Sequence, residues 1–144
     1  MPSFDLGSNR RLVIKVGSSL LINENGQINR RWLQKLADDI ASLQREGHEV
    51  LVVSSGSIAI GSTLLGIIKK RAGLADLQAA AAAGQVQLVH AYQESLGQHD
   101  IMAAQILLTP GDTENRRRFL NARATLTRLV EQSVVPIINE NDTV

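Results

Sequence analysis

A lysine stands near the end of a short apolar run and is followed at once by a glycine turn. The run is Leu12–Val16, and Gly17-Ser18-Ser19 comes directly after it. Burying an ammonium group is costly unless it reaches a counter-charge or water, and successive N–H groups beside a glycine can form an anion site. Lys15, Gly17 and Ser18 are therefore candidates for binding phosphate. Alternatively, Lys15 extends to the surface from an edge strand. The segment is not a Walker A loop, because the spacing and Gly-Lys pair of that motif are absent.

A serine-rich turn follows a second apolar run. Ser54-Ser55-Gly56-Ser57 lies between Val50–Val53 and a predicted helix. The free N–H groups of a helix amino terminus favour carboxylate or phosphate, so Ser55 and Gly56 are candidates for binding an anion. A plain serine cap is the commoner use of such residues. Ser55 as a nucleophile would need a base, and nothing in the sequence marks a partner among His48, His90 and His99.

A third polar cluster, Asn139-Glu140-Asn141-Asp142, follows the apolar run Val134–Ile138. Its carboxylate suits an ammonium group and its amides suit carboxylates, so Asn139, Asn141 and Asp142 are candidates for recognising a zwitterion. An ordinary polar turn is the alternative. Glu140 and Asp142 alone are weak evidence for a metal, and no metal ligand is assigned.

Apolar runs that alternate with helical patterns position these clusters. Strands are predicted at Leu12–Val16, Val50–Val53, Ile101–Leu108 and Val134–Ile138, and a small hairpin around the turn Asn23–Gly26 between Leu20–Ile22 and Ile28. Helices are predicted from the cap Asn29 to Glu46, at Ile58–Leu65, at Phe119–Gln132, and at Leu74–Leu96, closed by Gly97, with Leu74, Leu77, Ala81, Leu88 and Tyr92 on one side. This alternation predicts an α/β fold, with a mostly parallel sheet between two helical layers. Ligands of such sheets sit beyond the carboxyl ends of the strands, where the three clusters should converge.

Composition narrows the class of protein. The chain of 144 residues is 44% hydrophobic but only 3% aromatic, with a net charge of +1 and no cysteine. The near-neutral charge argues against a nucleic-acid or membrane partner, and the triplet Arg116–Arg118 is expected in a solvated loop or an anion or subunit contact. Lack of cysteine fits a reducing cytoplasm. Residues 1–10 are expected to be a loose lead-in without a signal segment.

Six stretches together resemble the amino acid kinase family, and within it the glutamate 5-kinases. They are Val13–Ser19, Val53–Ile58, Ala83–Gln85, Gln105–Thr109, Arg118–Arg123 and Val135–Asp142. The last two, Arg-Phe-Leu-Asn-Ala-Arg and the stretch ending in Asn-Glu-Asn-Asp, carry the resemblance to the glutamate-specific branch. Ser57 departs from it, since alanine is common there, as do Pro110-Gly111 and the arginine triplet.

The resemblance implies an α/β/α kinase domain and ATP-dependent phosphorylation of the side-chain carboxylate of glutamate, with Mg²⁺ held mainly by the nucleotide. Lys15 would be catalytic, Gly17 and Ser18 would lie near the phosphates, and Ser55 and Gly56 would hold a glutamate carboxylate. Asp142, helped by Asn139 or Asn141, would hold the ammonium group.

The resemblance also implies a homo-oligomer and inhibition by proline, with Glu114 and Asn115 in a gating loop from Pro110 to Arg118. Residues 11–144 would form the substrate-binding part without the nucleotide-binding half, and we expect the isolated chain to be inactive. The alternatives are a sister kinase acting on acetylglutamate, aspartate, carbamate or a nucleoside monophosphate, and a non-catalytic amino-acid-binding module. A dinucleotide-binding domain is disfavoured, because Gly-x-Gly-x-x-Gly is absent after the first strand.

Overall fold

Four parallel strands form the centre of the molecule. The structure, a computed structural model, describes residues 10–140 apart from the side chain of Lys69, so the predicted lead-in lies outside the described residues except for Arg10. The strands are β1 (Arg11–Val16), β2 (Glu49–Ser54), β3 (Ala103–Leu108) and β4 (Val135–Glu140), in the spatial order β1-β2-β4-β3. All described pairs of strands are parallel, which confirms the predicted sheet.

Helices connect the strands and cover both faces of the sheet. They are α1 (Ser18–Leu21), α2 (Arg30–Arg45), α3 (Ser57–Leu65), α4 (Leu74–Gly97), α5 (Pro110–Glu114) and α6 (Arg116–Glu131). The predicted cap of α2 is present, since the Asn29 side chain accepts a hydrogen bond from the backbone N–H of Trp32 at 3.1 Å. Within residues 10–140, no helix is both long and apolar enough to cross a bilayer.

Alternation along the strands divides the core into two clusters. Val50 and Val52 of β2 belong to the larger one, with side chains from α2, α3 and α4. Leu51 lies on the opposite face and packs with Val130 of α6 and Ile138. The sheet is therefore the middle layer of an α/β/α sandwich, as the sequence pattern predicted.

The structure corrects the sequence prediction in three places. Leu20 and Leu21 belong to the short helix α1, and the expected hairpin is reduced to a single antiparallel bridge between Ile22 and Ile28. Leu74 is 73% exposed, whereas Ala81, Leu88 and Tyr92 on the same predicted side of α4 are buried. The predicted loop from Pro110 to Arg118 contains α5 and the first turn of α6.

Two glycines allow α3 and α4 to pack backbone against backbone. A methyl group on Gly84 would collide with the carbonyl oxygen of Ser57 and come within 2.7 Å of the backbone nitrogen of Gly61. A methyl group on Gly61 would collide with the backbone of Ala80. Glycine at both positions therefore sets the distance between the two helices, and this brings the middle of α4 against the start of α3.

We expect Gly84→Ala to lower the free energy of unfolding by about 1–3 kcal/mol or more, because the added methyl group has no space. Gly97→Ala is the matched control in the last turn of the same helix, where nothing lies within 4 Å of the new methyl group. That change should be neutral or stabilising by up to about 1 kcal/mol. Urea unfolding of both variants checks this, and equal stability of the two would contradict the proposed close packing.

Candidate functional site

A cavity of about 880 Å³ opens at the carboxyl edge of the sheet. Residues from β1, β2 and β4 line it together with the segments that follow β1, β2 and β3, among them Lys15, Ser18, Ser54, Ser55, Gly56, Ser57, Thr109 and Asn139. Three polar segments that are far apart in the sequence therefore meet at one place, as expected for an open parallel sheet.

Strand register determines which face each side chain joins. Lys15 pairs with Val53, and Val53 pairs with Ile138. Because Val53 and Ile138 pack in the cluster beneath α6, Lys15 stands on that face. The next residues, Ser54 and Asn139, alternate to the face that carries α3 and α4. The cavity thus receives a cation from one face of the sheet and neutral polar groups from the other.

Lys15 is exposed and forms no ion pair or hydrogen bond within the described residues. It lies on β1, an edge strand of the described sheet, so its position fits both a ligand-binding and a surface lysine. Gly17 follows as the residue before α1, with φ −79°, and a methyl group there would meet only Ser19, at 4.0 Å. Neither backbone conformation nor internal packing therefore requires a glycine here, and Ser18 lines the cavity beside it.

The turn after β2 is held by its backbone. The N–H of Ser55 donates to the carbonyl of Val16 at 3.1 Å, so this N–H is already used in joining β2 to β1. Gly56 has a φ of 117°, which other residues rarely adopt, and it caps α3, which begins at Ser57. The groups left to bind an anion here are the Ser55 hydroxyl and the first N–H groups of α3.

A buried tyrosine supports the end of β2 from below. The Tyr92 hydroxyl of α4 donates to Ser54 Oγ at 2.9 Å, and Ser54 Oγ donates to the carbonyl of Ser55 at 3.2 Å. Burial raises the pKa of Tyr92 to about 12, although the bond to Ser54 opposes this shift. The phenol therefore stays protonated near neutrality and remains a donor.

A second network joins α3, α4 and β4. The hydroxyl of Ser57 donates to Gln85 Oε1, and the Asn139 amide nitrogen lies 2.9 Å from Ser57 Oγ and 3.1 Å from Gln85 Oε1. Asn139 Oδ1 accepts from the backbone N–H of Glu140 at 2.9 Å. These bonds fix the side chain that begins the third polar cluster.

The segment after β3 borders the cavity through α5. Asp112 accepts hydrogen bonds from the backbone N–H of Thr109 at 2.7 Å and from its hydroxyl at 3.0 Å. The backbone bond is the main cause that lowers the pKa of Asp112. Glu114 ends α5, and Asn115 caps α6 by accepting from the N–H of Arg118 at 3.2 Å. Neither Glu114 nor Asn115 lines the cavity.

Two predicted residues, Asn141 and Asp142, lie outside the described residues. The histidines are away from the cavity: His90 contacts Glu94 at 2.8 Å, and His99 contacts Asp38 at 2.6 Å. No histidine within residues 10–140 is therefore placed to activate Ser55. In the same range, no three histidine or acidic side chains are grouped as metal ligands.

Sequence reasoning assigned no role to Gln85, Tyr92 or Ser54, although all three support the site. The available signal was the stripe of α4 that contains Ala81, Gln85, Leu88 and Tyr92 at helical spacing. A glutamine inside such a stripe must find a polar partner when it is buried.

The sequence model of the Amino acid kinase family matches residues 10–144. Glutamate 5-kinases of Brucella abortus (strain S19), Brucella ovis and Brucella melitensis biotype 2 are each 57% identical to this chain over 135 residues. The matched region is 94% of this chain but 36% of each relative, so the chain spans about a third of their length. With this match over nearly all of its length, and with the parallel sheet that the family implies, the chain belongs to the amino acid kinase family.

Proposed function

We propose that the chain supplies the glutamate-binding part of a glutamate 5-kinase. The reaction would transfer the γ-phosphoryl group of ATP to the side-chain carboxylate of L-glutamate, giving L-glutamyl 5-phosphate for proline biosynthesis. The observation that carries the proposal is the single cavity onto which Lys15, Ser55-Gly56 and Asn139 converge. The similarity to glutamate 5-kinases over 94% of this chain supports it.

The site suits this chemistry because a carboxylate needs no general base. The side chain of glutamate has a pKa of about 4.3 and is already an ionised nucleophile near neutrality. Catalysis can therefore depend on in-line positioning and on neutralising the phosphoryl oxygens, with Mg²⁺ carried by the nucleotide. Among the described residues, the cavity has a lysine without an ion pair, small hydroxyl groups and no histidine, which meets those needs.

Each candidate residue has a role in the proposal. Lys15 neutralises the transferring phosphoryl group, and the backbone at Gly17 and Ser18 faces the phosphates of ATP. Ser55 and Gly56 at the start of α3 bind a glutamate carboxylate. Asp142, with Asn139 or Asn141, binds the ammonium group.

The activity is tested with the full-length protein that carries this chain. We expect ADP release to depend on glutamate, with acetylglutamate, aspartate, carbamate and nucleoside monophosphates giving little or none. Preference for one of the other acceptors would assign the chain to a sister kinase instead.

We expect Lys15→Ala to lower kcat at least about 100-fold, because the developing charge on the phosphoryl oxygens loses its cation. Thermal stability should change little, since Lys15 is exposed and makes no ion pair within the described residues. Lys35→Ala on the exposed side of α2 is the matched control. Near-normal turnover of the Lys15 variant would show that Lys15 is a surface lysine without a catalytic role.

We expect Asp142→Ala to raise the KM for glutamate about 30-fold or more while the KM for ATP changes little, because the ammonium group loses its counter-charge. Asp39→Ala on α2 controls for removal of an exposed carboxylate. An equal rise in both KM values would argue against a contact between Asp142 and glutamate.

Proline inhibition belongs to the same proposal. Proline shares the α-carboxylate and ammonium groups of glutamate but lacks the carboxylate that accepts phosphate. It would compete for the Asn139–Asp142 segment or favour a conformation that binds glutamate poorly. The segment from Pro110 to Arg118, now seen to contain α5, is the proposed gate because Thr109, Pro110 and Thr113 line the cavity.

We expect Glu114→Ala to weaken proline inhibition more than glutamate binding. Glu114 is the better probe, since replacing Asn115 would also remove the cap of α6 and destabilise that helix by about 1 kcal/mol. Glu131→Ala at the far end of α6 is the control. The inhibition constant for proline and the KM for glutamate are measured for each variant. Unchanged proline sensitivity in Glu114→Ala would contradict the proposal that α5 is the gate.

A homo-oligomer in the cytoplasm completes the proposal. Large apolar side chains are exposed on α3, on the turn after it and on α4, at Leu64, Leu65, Ile68, Leu74 and Val86. Exposed apolar surface of this kind suits a subunit contact. Sedimentation of the full-length protein tests the assembly.

A further inference from the structure

A buried glutamine of α4 lies directly behind the polar end of β4. Gln85 is 7% exposed, and its Oε1 is contacted by the Ser57 hydroxyl and the Asn139 amide nitrogen. Asn139 lines the cavity, whereas Gln85 does not. Gln85 can therefore influence a ligand only through the residues in front of it.

The backbone N–H of Glu140 can only donate, so its contact with Asn139 shows how both amides of this network are oriented. Because this N–H lies 2.9 Å from one end of the Asn139 amide, that end must be the oxygen. The nitrogen of Asn139 then faces Gln85 at 3.1 Å and needs an acceptor there. Turning the Gln85 amide around would place two N–H₂ groups against each other.

This arrangement leaves one polar atom unsatisfied. Gln85 Nε2 is buried and has no hydrogen-bond partner within the described residues. An unpaired buried donor is unfavourable and uncommon in folded proteins. In this orientation Gln85 Oε1 accepts hydrogen bonds from Ser57 and Asn139, while Gln85 Nε2 makes none within the described residues.

We infer that Gln85 is a positioning residue: together with the Glu140 N–H it holds the nitrogen of Asn139 inward, so that a ligand in the cavity meets the amide oxygen of Asn139. An amide oxygen accepts from an ammonium group and repels a carboxylate. Gln85 thereby makes Asn139 select for the α-ammonium group of the amino-acid substrate. The inference rests on the proposed function and adds to it a residue outside the cavity.

Ser57 has a secondary part in this network. Its hydroxyl accepts from Asn139 at 2.9 Å and donates to Gln85, while Asn139 also reaches Gln85 directly. Removing the hydroxyl leaves the direct contact in place. Ser57→Ala should therefore have a much smaller effect than removal of the Gln85 amide.

The test compares glutamate with glutarate, which has both carboxylates but no ammonium group, in the full-length protein. In Gln85→Met we expect the KM for glutamate to rise about 10- to 100-fold, the range for loss of a hydrogen bond to a charged group. The Ki of glutarate as a competitive inhibitor should change less than about threefold. Gln85→Glu keeps an acceptor for both donors and should restore most of the discrimination. Gln93→Met, on the exposed side of α4, is the matched control.

Asn139→Asp gives an independent answer if Gln85→Met does not fold. Its carboxylate can still accept from the Glu140 N–H, and Gln85 can turn its unpaired nitrogen toward it. The preference for glutamate over glutarate should then be kept or strengthened. Loss of that preference, or an equal shift for glutamate and glutarate in Gln85→Met, would overturn the inference. If the unaltered protein does not phosphorylate glutamate, the proposed function fails, and the inference fails with it.

Discussion

The close approach of α3 and α4 is the constraint on which the candidate site depends. Only glycine fits at positions 61 and 84, because a side chain at either would collide with the backbone of the facing helix. This contact brings Gln85, the residue after Gly84, to Ser57 at the start of α3. The packing of the two helices therefore also sets the hydrogen bonding beside the cavity.

The two faces of the sheet contribute different kinds of side chain to the site. On β1 the alternation directs Lys15 toward the α6 side, and on β2 and β4 it directs Ser54 and Asn139 toward α4. Lys15 can therefore reach the same edge of the sheet as Ser54 and Asn139 while staying on the opposite face from them. The lysine avoids the desolvation that burial among the polar networks would cost, and the networks remain uncharged.

Local patterns were enough to predict the sheet and most helices. Val50–Val53 and Val134–Ile138 are apolar runs whose length fits buried strands, and Asn29 is a capping residue in the right place. Such local patterns did not show α5 or the early start of α6. The bonds at their starts, between Thr109 and Asp112 and between Asn115 and Arg118, are ones that polar loops also use. The positions of Lys15, Ser55 and Asn139 at strand ends followed from the parallel topology. The supporting residues did not, because the pairing of Gln85 with Asn139 joins residues 54 positions apart.

Tyr92 and Gln85 show why those supporting residues come from a single helix. They lie two turns apart on α4, and therefore on the same side of it. Tyr92 reaches Ser54 at the end of β2, and Gln85 reaches Asn139 of β4. A movement of α4 along its axis would displace the serine turn and the third polar cluster together. Because one helix, packed through its glycines against α3, makes both contacts, the groups proposed to bind the two ends of an amino acid share one support.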